Sequence, residues 1–198
     1  MVDKLSPEDS ISRRVREERL RRGWTLVQLA ERARVSRAMI SKIERGQSSP
    51  TAVLLARLAD AMGLSLTSLM TERAAARPAL RRVRDQPQWR DPSNGYVRRL
   101  VSPPGEEGDT EVVAVDLPVG VAVRFEADHF RTDEQVLLIE GRLRLDMGDT
   151  RLDLAPGDCA RVAVDRPHAF TNIGDAPARY LVVMRHCGDS TRRSPPST

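Results

Sequence analysis

Cysteine is scarce in this chain of 198 residues, which has only Cys159 and Cys187. They lie far apart and outside any C-x-x-C spacing, so neither a zinc site nor a disulfide framework is indicated; reduced thiols are expected. Aromatic residues are also few, at 4%, although the hydrophobic content of 40% is ordinary. Long apolar runs are missing too. The longest, such as Val112 to Val115 and Val136 to Ile139, are far too short to cross a bilayer. The opening MVDKLSPEDS is polar and of mixed charge, unlike a signal peptide. A cytoplasmic protein with no membrane partner is the expectation.

Lysine is nearly absent, so almost all of the 32 cations are arginine. Arginine suits bidentate contacts to phosphate and guanine, although codon bias would produce the same excess. The charge is unevenly placed. Residues 1–77 carry a net +6, residues 78–99 a net +4 and residues 100–198 a net −6. A basic front and an acidic back suggest that only the front meets a polyanion.

The front is organised around TLVQLAERARVSRAMISKIERG, Thr25 to Gly46. Leu26, Leu29, Ala30 and Ala33 follow helical spacing, and Thr25 with Gln28 forms a capping box. Ser36 caps a second helix, which Gly46 ends. On this second helix Ser36, Ile40 and Ile43 share one side. Arg37, Ala38, Ser41, Lys42 and Arg45 share the other, which has no carboxylate. Such a face suits a major groove: Arg and Lys bond guanine edges, Ser a phosphate or base edge, and Ala a thymine methyl. By periodicity alone it is equally a solvated face of a helical hairpin.

The stretch RGWTLVQLAERARVSRAMISKIERGQSSPTAVLLARLADAMGLSL resembles the Cro/C1-type (XRE) helix-turn-helix family of transcription regulators. The resemblance runs from Ile11 to about Met70. It implies that Arg37, Ala38 and Lys42 read bases and that Thr25 and Ser36 touch phosphate. Gln28, Ser41 and Arg45 complete the expected DNA-binding set. Arg34 departs from the family pattern, standing where Gly or Asn often adopts a left-handed turn. Around this core, Ser6-Pro7 is expected to open a first helix with Ile11, Val15 and Leu20 buried. Trp24 should plug the next junction. Ser49-Pro50 should start a fourth helix with Val53, Leu54, Leu58 and Ala61 at helical spacing, and Ser65 to Met70 should form a fifth turn.

Residues 72–94 read as a linker whose arginines either follow the DNA backbone or keep it solvated. From Tyr96 the pattern becomes short strands, among them EVVAVDL, EQVLLIE and RYLVVMR, split by Gly and Pro turns. This half resembles the cupin family: Gly120, His129, Glu134 and Gly141 fit its first motif, with Ala127 in place of one histidine. Pro156-Gly157-Asp158, Pro167-His168 and Asn172 fit the second.

The fold expected is therefore α + β with two domains. A five-helix Cro/C1-type helix-turn-helix domain spans 7–71, a linker 72–94, and an all-β cupin, a double-sheet jelly-roll barrel, 95–187. A disordered tail covers 188–198. His129, Glu134 and His168 are the candidate effector-pocket residues. No catalytic residue is assigned, and no cofactor is expected, although those three side chains would suit a divalent metal such as Fe(II), Mn(II) or Zn(II). Glu134 is also placed to pair with Arg124 or Arg144. The expected function is sequence-specific regulation of transcription, with partners operator DNA, a small-molecule effector and a second copy of the chain. The alternatives are a metal-dependent oxygenase or epoxidase with an accessory helical domain, and a cupin that serves as a dimerisation scaffold only.

Overall fold

The structure, a computed structural model, describes residues 7–70, 78–103, 110–127 and 132–186. Five helices come first: α1 (Pro7–Arg21), α2 (Leu26–Ala33), α3 (Arg37–Glu44), α4 (Ala52–Met62) and α5 (Leu66–Met70). Ten strands follow: β1 (Gln88–Arg90), β2 (Val97–Leu100), β3 (Thr110–Leu117), β4 (Ala122–Phe125) and β5 (Thr132–Glu140), then β6 (Leu143–Met147), β7 (Thr150–Leu154), β8 (Cys159–Val162), β9 (His168–Asn172) and β10 (Ala178–His186).

Local signals end the helices where the sequence places them. Thr25 Oγ1 accepts the Gln28 N–H at 3.2 Å, and Gln28 Oε1 accepts the Thr25 N–H at 2.8 Å, so the capping box is complete. Ser36 Oγ accepts the Met39 N–H at 3.2 Å. Arg34 closes α2 at φ 52°, the one non-glycine residue with positive φ among those described.

Two helical expectations shift. Thr51, not Ser49, caps α4 by accepting the Leu54 N–H at 3.3 Å, which leaves Pro50 outside the helix. The buried stripe is accordingly Ala52, Leu55, Leu58, Ala59 and Met62, since α4 packs on α2 and α5 and also on β4. Leu20 is 55% exposed, because Ile11, Val15 and Glu18 form the inward face of α1.

The strands form two sheets in the orders β1-β2-β3-β10-β5-β8 and β4-β9-β6-β7, with antiparallel neighbours. They face each other as a cupin-like sandwich; the expected closed barrel does not form. Alternation sends Val113, Val115, Val136, Leu138, Tyr180 and Val182 inward from the larger sheet to meet Leu143, Leu145 and Phe170 of the smaller. Phe170 and Tyr180 stack across the gap, with centroids 5.7 Å apart. Two strands are additions to the sequence reading. β1 lies inside the expected linker and buries Trp89. β9 joins Pro167 to the Asn172 turn and carries His168.

Gly141 joins β5 to β6 at φ +84°, and a Cβ there would meet Ala178 Cα and Pro177 O at 2.9 Å. Gly157 has φ +93° but open space around it. Gly157→Ala is expected to cost about 1–2 kcal/mol from backbone strain alone. Gly141→Ala should lose about 1–3 kcal/mol more through overpacking. Urea unfolding of both variants checks this, and equal losses would show that the backbone contact yields.

Candidate nucleic-acid interface and junction pocket

The far face of α3 is presented as the sequence suggests. Arg37, Ala38, Lys42 and Arg45 are exposed, while Ile40 and Ile43 are fully buried. Arg45 donates to Ser41 Oγ at 2.6 Å and to Gln47 Oε1 at 3.0 Å, so its guanidinium is held against the helix end. Thr25, Val27, Arg37, Ala38, Ser41 and Lys42 border one shallow depression between α2 and α3. The hydroxyls of Thr25 and Ser36 accept backbone N–H groups as caps, which leaves their O–H bonds able to donate to a phosphate.

A buried ion pair positions this helix. Arg19 of α1 donates Nε and Nη2 to the two carboxylate oxygens of Glu44 at 2.6 and 2.7 Å, and Nη1 to the Trp24 carbonyl at 2.8 Å. The hydrogen bonds that Arg19 donates to Glu44 raise its pKa against the effect of burial. Trp24 lies with the guanidinium carbon of Arg32 4.6 Å from its ring centre and that of Arg22 at 5.7 Å, and so fills the α1–α2 junction. Glu18, 1% exposed, accepts from Arg14, Arg21 and Arg22. Burial alone would raise its pKa, but Arg22, Arg21 and Arg14 outweigh that and hold it low.

The helical and β units meet at α4. Its first amide, Ala52 N–H, donates to Asp91 Oδ2 at 2.6 Å, while Asp91 Oδ1 accepts the N–H and O–H of Ser93 at 2.8 and 2.6 Å. Ser65 donates to Glu111 Oε1 at 3.1 Å. At this junction lies a pocket of about 140 Å³. One wall is Arg57, Asp60, Leu64 and Leu66 from α4, α5 and their junction. The other comes from the inner faces of both sheets, including Tyr96, Arg98, Phe125, Glu134, His168 and Tyr180.

Of the three candidate pocket residues, Glu134 and His168 line this one cavity, and His129 lies outside the described residues. His168, 7% exposed, donates Nδ1–H to the Arg166 carbonyl at 3.1 Å and sits among Phe125 and Phe170 with centroids at 5.6 and 5.8 Å. Arg144 is not a partner for Glu134, because it is bound in a bidentate pair to Asp153 at 2.7 and 2.8 Å on the adjacent strand β7. Arg124 is exposed on β4.

The cation that does face Glu134 is Arg98, which sequence reasoning missed. It is fully inside, on β2, and burial works against its charge. Tyr96, Glu134 and Glu111 more than offset that and raise its pKa. Burial likewise pushes the Tyr180 phenol well up. A guanidinium coupled to Glu134 works against a divalent ion at that carboxylate.

A helix-turn-helix family profile matches residues 15–69, and a cupin domain profile matches residues 113–184. The chain carries a helix-turn-helix domain followed by a cupin domain. This two-domain protein is 25% identical over 176 residues to the HTH-type transcriptional regulator SutR of Escherichia coli (strain K12), covering 89% of this chain and 94% of that one. Its fold matches the crystal structure of a helix-turn-helix family transcriptional regulator from Vibrio cholerae at a TM-score of 0.75 and 19% identity. That match covers 91% of this chain and 97% of that chain. Hydroxypropylphosphonic acid epoxidase from S. wedmorenis aligns at a TM-score of 0.47 and 18% identity, over 89% of this chain and 97% of that one, too low a score to carry an argument.

Two outcomes follow for the two-domain protein. Arg19→Met and Glu44→Leu should each cost about 3–5 kcal/mol, and the double variant less than their sum, in a double-mutant cycle by chemical denaturation. Strict additivity would mean that the pair is uncoupled. Asp91→Ala should cost about 1–3 kcal/mol by stranding a buried N–H. It should also pull apart the unfolding transitions reported by Trp24 in the helical unit and Trp89 on β1, read in single-tryptophan variants. Coincident transitions in Asp91→Ala would show that the clamp does not couple the units.

Proposed function

We propose that this helix-turn-helix protein is a sequence-specific DNA-binding regulator of transcription, acting as a cytoplasmic homodimer whose junction pocket holds a small-molecule effector. The observation that carries the reading is the face of α3. Arg37, Lys42 and Arg45 stand exposed without a carboxylate among them, around a small Ala38 that lets a groove approach. The opposite face is locked by Ile40, Ile43 and the Arg19–Glu44 pair, so the cations are pre-positioned. In this reading α3 enters the major groove, Arg37, Ala38, Ser41 and Lys42 meet base edges, and the caps Thr25 and Ser36, with Gln28, meet phosphate. A two-fold dimer sets its recognition helices about 34 Å apart on a pseudo-palindromic site.

The pocket wall made by α4 and α5 gives the effector a route to the DNA-binding unit. An occupant touches both units at once, so it shifts DNA affinity to the extent that it favours one arrangement of them. The repulsion between Arg98 and a metal at Glu134 speaks against an iron-dependent oxygenase at this site.

Selection of a binding site from a random duplex library, followed by anisotropy titration, tests the reading. Arg37→Ala and Lys42→Ala should each weaken binding to the selected site by about 1–3 kcal/mol while leaving the melting temperature in place. Undiminished affinity in both variants would remove α3 as the reading face.

A further inference from the structure

We propose that Arg98 anchors the carboxylate of the pocket's ligand, and that this ligand is a small 2-hydroxy or 2-amino acid with a short apolar tail. The proposal rests on the reading of the pocket as an effector site, and it names the chemistry of the occupant.

Arg98 is only 6% exposed, yet it lines the cavity. Its Nη1 donates to the Tyr96 hydroxyl at 3.3 Å, its Nη2 meets the Met184 sulfur at 3.8 Å, and its Nε has no hydrogen-bond partner among the described residues. A phenol and a thioether are poor acceptors for a planar fork of five donors, whose natural complement is a carboxylate gripped by two parallel N–H bonds. Leaving such donors unmet in a buried place carries a desolvation cost that a ligand oxyanion removes.

The charge around the guanidinium restricts the rest of the ligand. Glu111 and Glu134 are the register partners on either side of Met184, and both act on Arg98 electrostatically. Asp60 faces them from the helical wall, and Glu126 lines the cavity with Arg57 3.9 Å away. With acids on both walls, a ligand bearing a second anionic group is repelled, whereas a hydroxyl or ammonium beside the carboxylate meets acceptors. The remaining surface, with Leu64, Leu66, Phe125, Phe170 and Val182, is apolar. The cavity of about 140 Å³ matches in size one of about 150 Å³ that takes a benzene-sized guest, so the tail is short. Leu64 and Leu66 belong to the helical unit, so the tail is the part that reports to it.

The test is calorimetric titration and thermal shift on the full chain with 2-hydroxy and 2-amino acids carrying methyl to isobutyl side chains. Each acid is compared with its own primary amide and with the corresponding simple amine. At least one acid series is expected to bind and raise the melting temperature, with its amides weaker by roughly tenfold to a hundredfold. Which series binds tells whether the second group is hydroxyl or ammonium. Arg98→Gln should lose the preference for acid over amide, and Arg98→Lys should keep part of it. Because the Arg98 variants risk misfolding, the acid-to-amide ratio on the unaltered protein decides. Amides or simple amines binding as well as the acids would overturn the proposal. So would the absence of any thermal shift by either acid series at millimolar concentration. Acids that bind without changing operator affinity would refute the sensor reading and leave the ligand class standing. Operator binding without acid binding would do the reverse.

Discussion

Helix α4 serves two cores at once, and the rest of the arrangement depends on how it is held. Its inward stripe of Leu55, Leu58 and Met62 completes the helical unit, while Arg57 and Asp60 on another side face the open end of the sandwich. The Asp91 carboxylate fixes the start of the helix by taking its first amide, a place where the helix dipole also favours a negative charge. Arg22 from α1 closes the other end on the Met62 carbonyl. With both termini engaged by different parts of the chain, α4 does not slide along its axis without breaking a buried hydrogen bond. The pocket owes its shape to that restraint.

What was legible in the sequence was local. The Thr25–Gln28 box, the Ser36 cap and the left-handed Arg34 involve residues within three positions of one another, so composition and spacing carry them. The α3 face was legible for the same reason, since one helix fixes both its sides. What escaped needs partners far along the chain. Arg98 reaches Met184, 86 positions away, and Asp91 reaches Ala52, 39 positions away. In sequence Arg98 is one more arginine in a basic stretch, and only the pairing of β2 into the larger sheet turns it inward. β1 was concealed by the surrounding charge, because a three-residue strand with one buried tryptophan has no periodicity to read. The stripe on α4 was displaced for a related reason: a helix with apolar residues on several sides lets its neighbours decide which are covered.

Charge is used in two different ways in the two halves. In the helical unit, buried carboxylates neutralise arginines so that helices lock together, as Glu18 and Glu44 do, while Arg37, Lys42 and Arg45 stand exposed at α3. In the sandwich, pairs such as Arg144–Asp153 and Arg151–Asp146 lie on exposed strand faces, where solvent screens them and their contribution is small. Arg98 belongs to neither pattern. It is a buried cation whose direct hydrogen bonds go to neutral atoms, and that sets it apart from the arginines of the structural ion pairs.

The position of β10 has a consequence for the way the chain is made. It is the last strand among the described residues, yet it lies in the middle of the six-stranded sheet, paired with β3 on one side and β5 on the other. The larger sheet therefore has a gap at its centre until residue 178 and those after it have left the ribosome. The helices, whose contacts are mostly local, have what they need much earlier. During synthesis the helical half is complete while the sandwich still exposes the edges of β3 and β5, and β10 closes the sheet when it emerges.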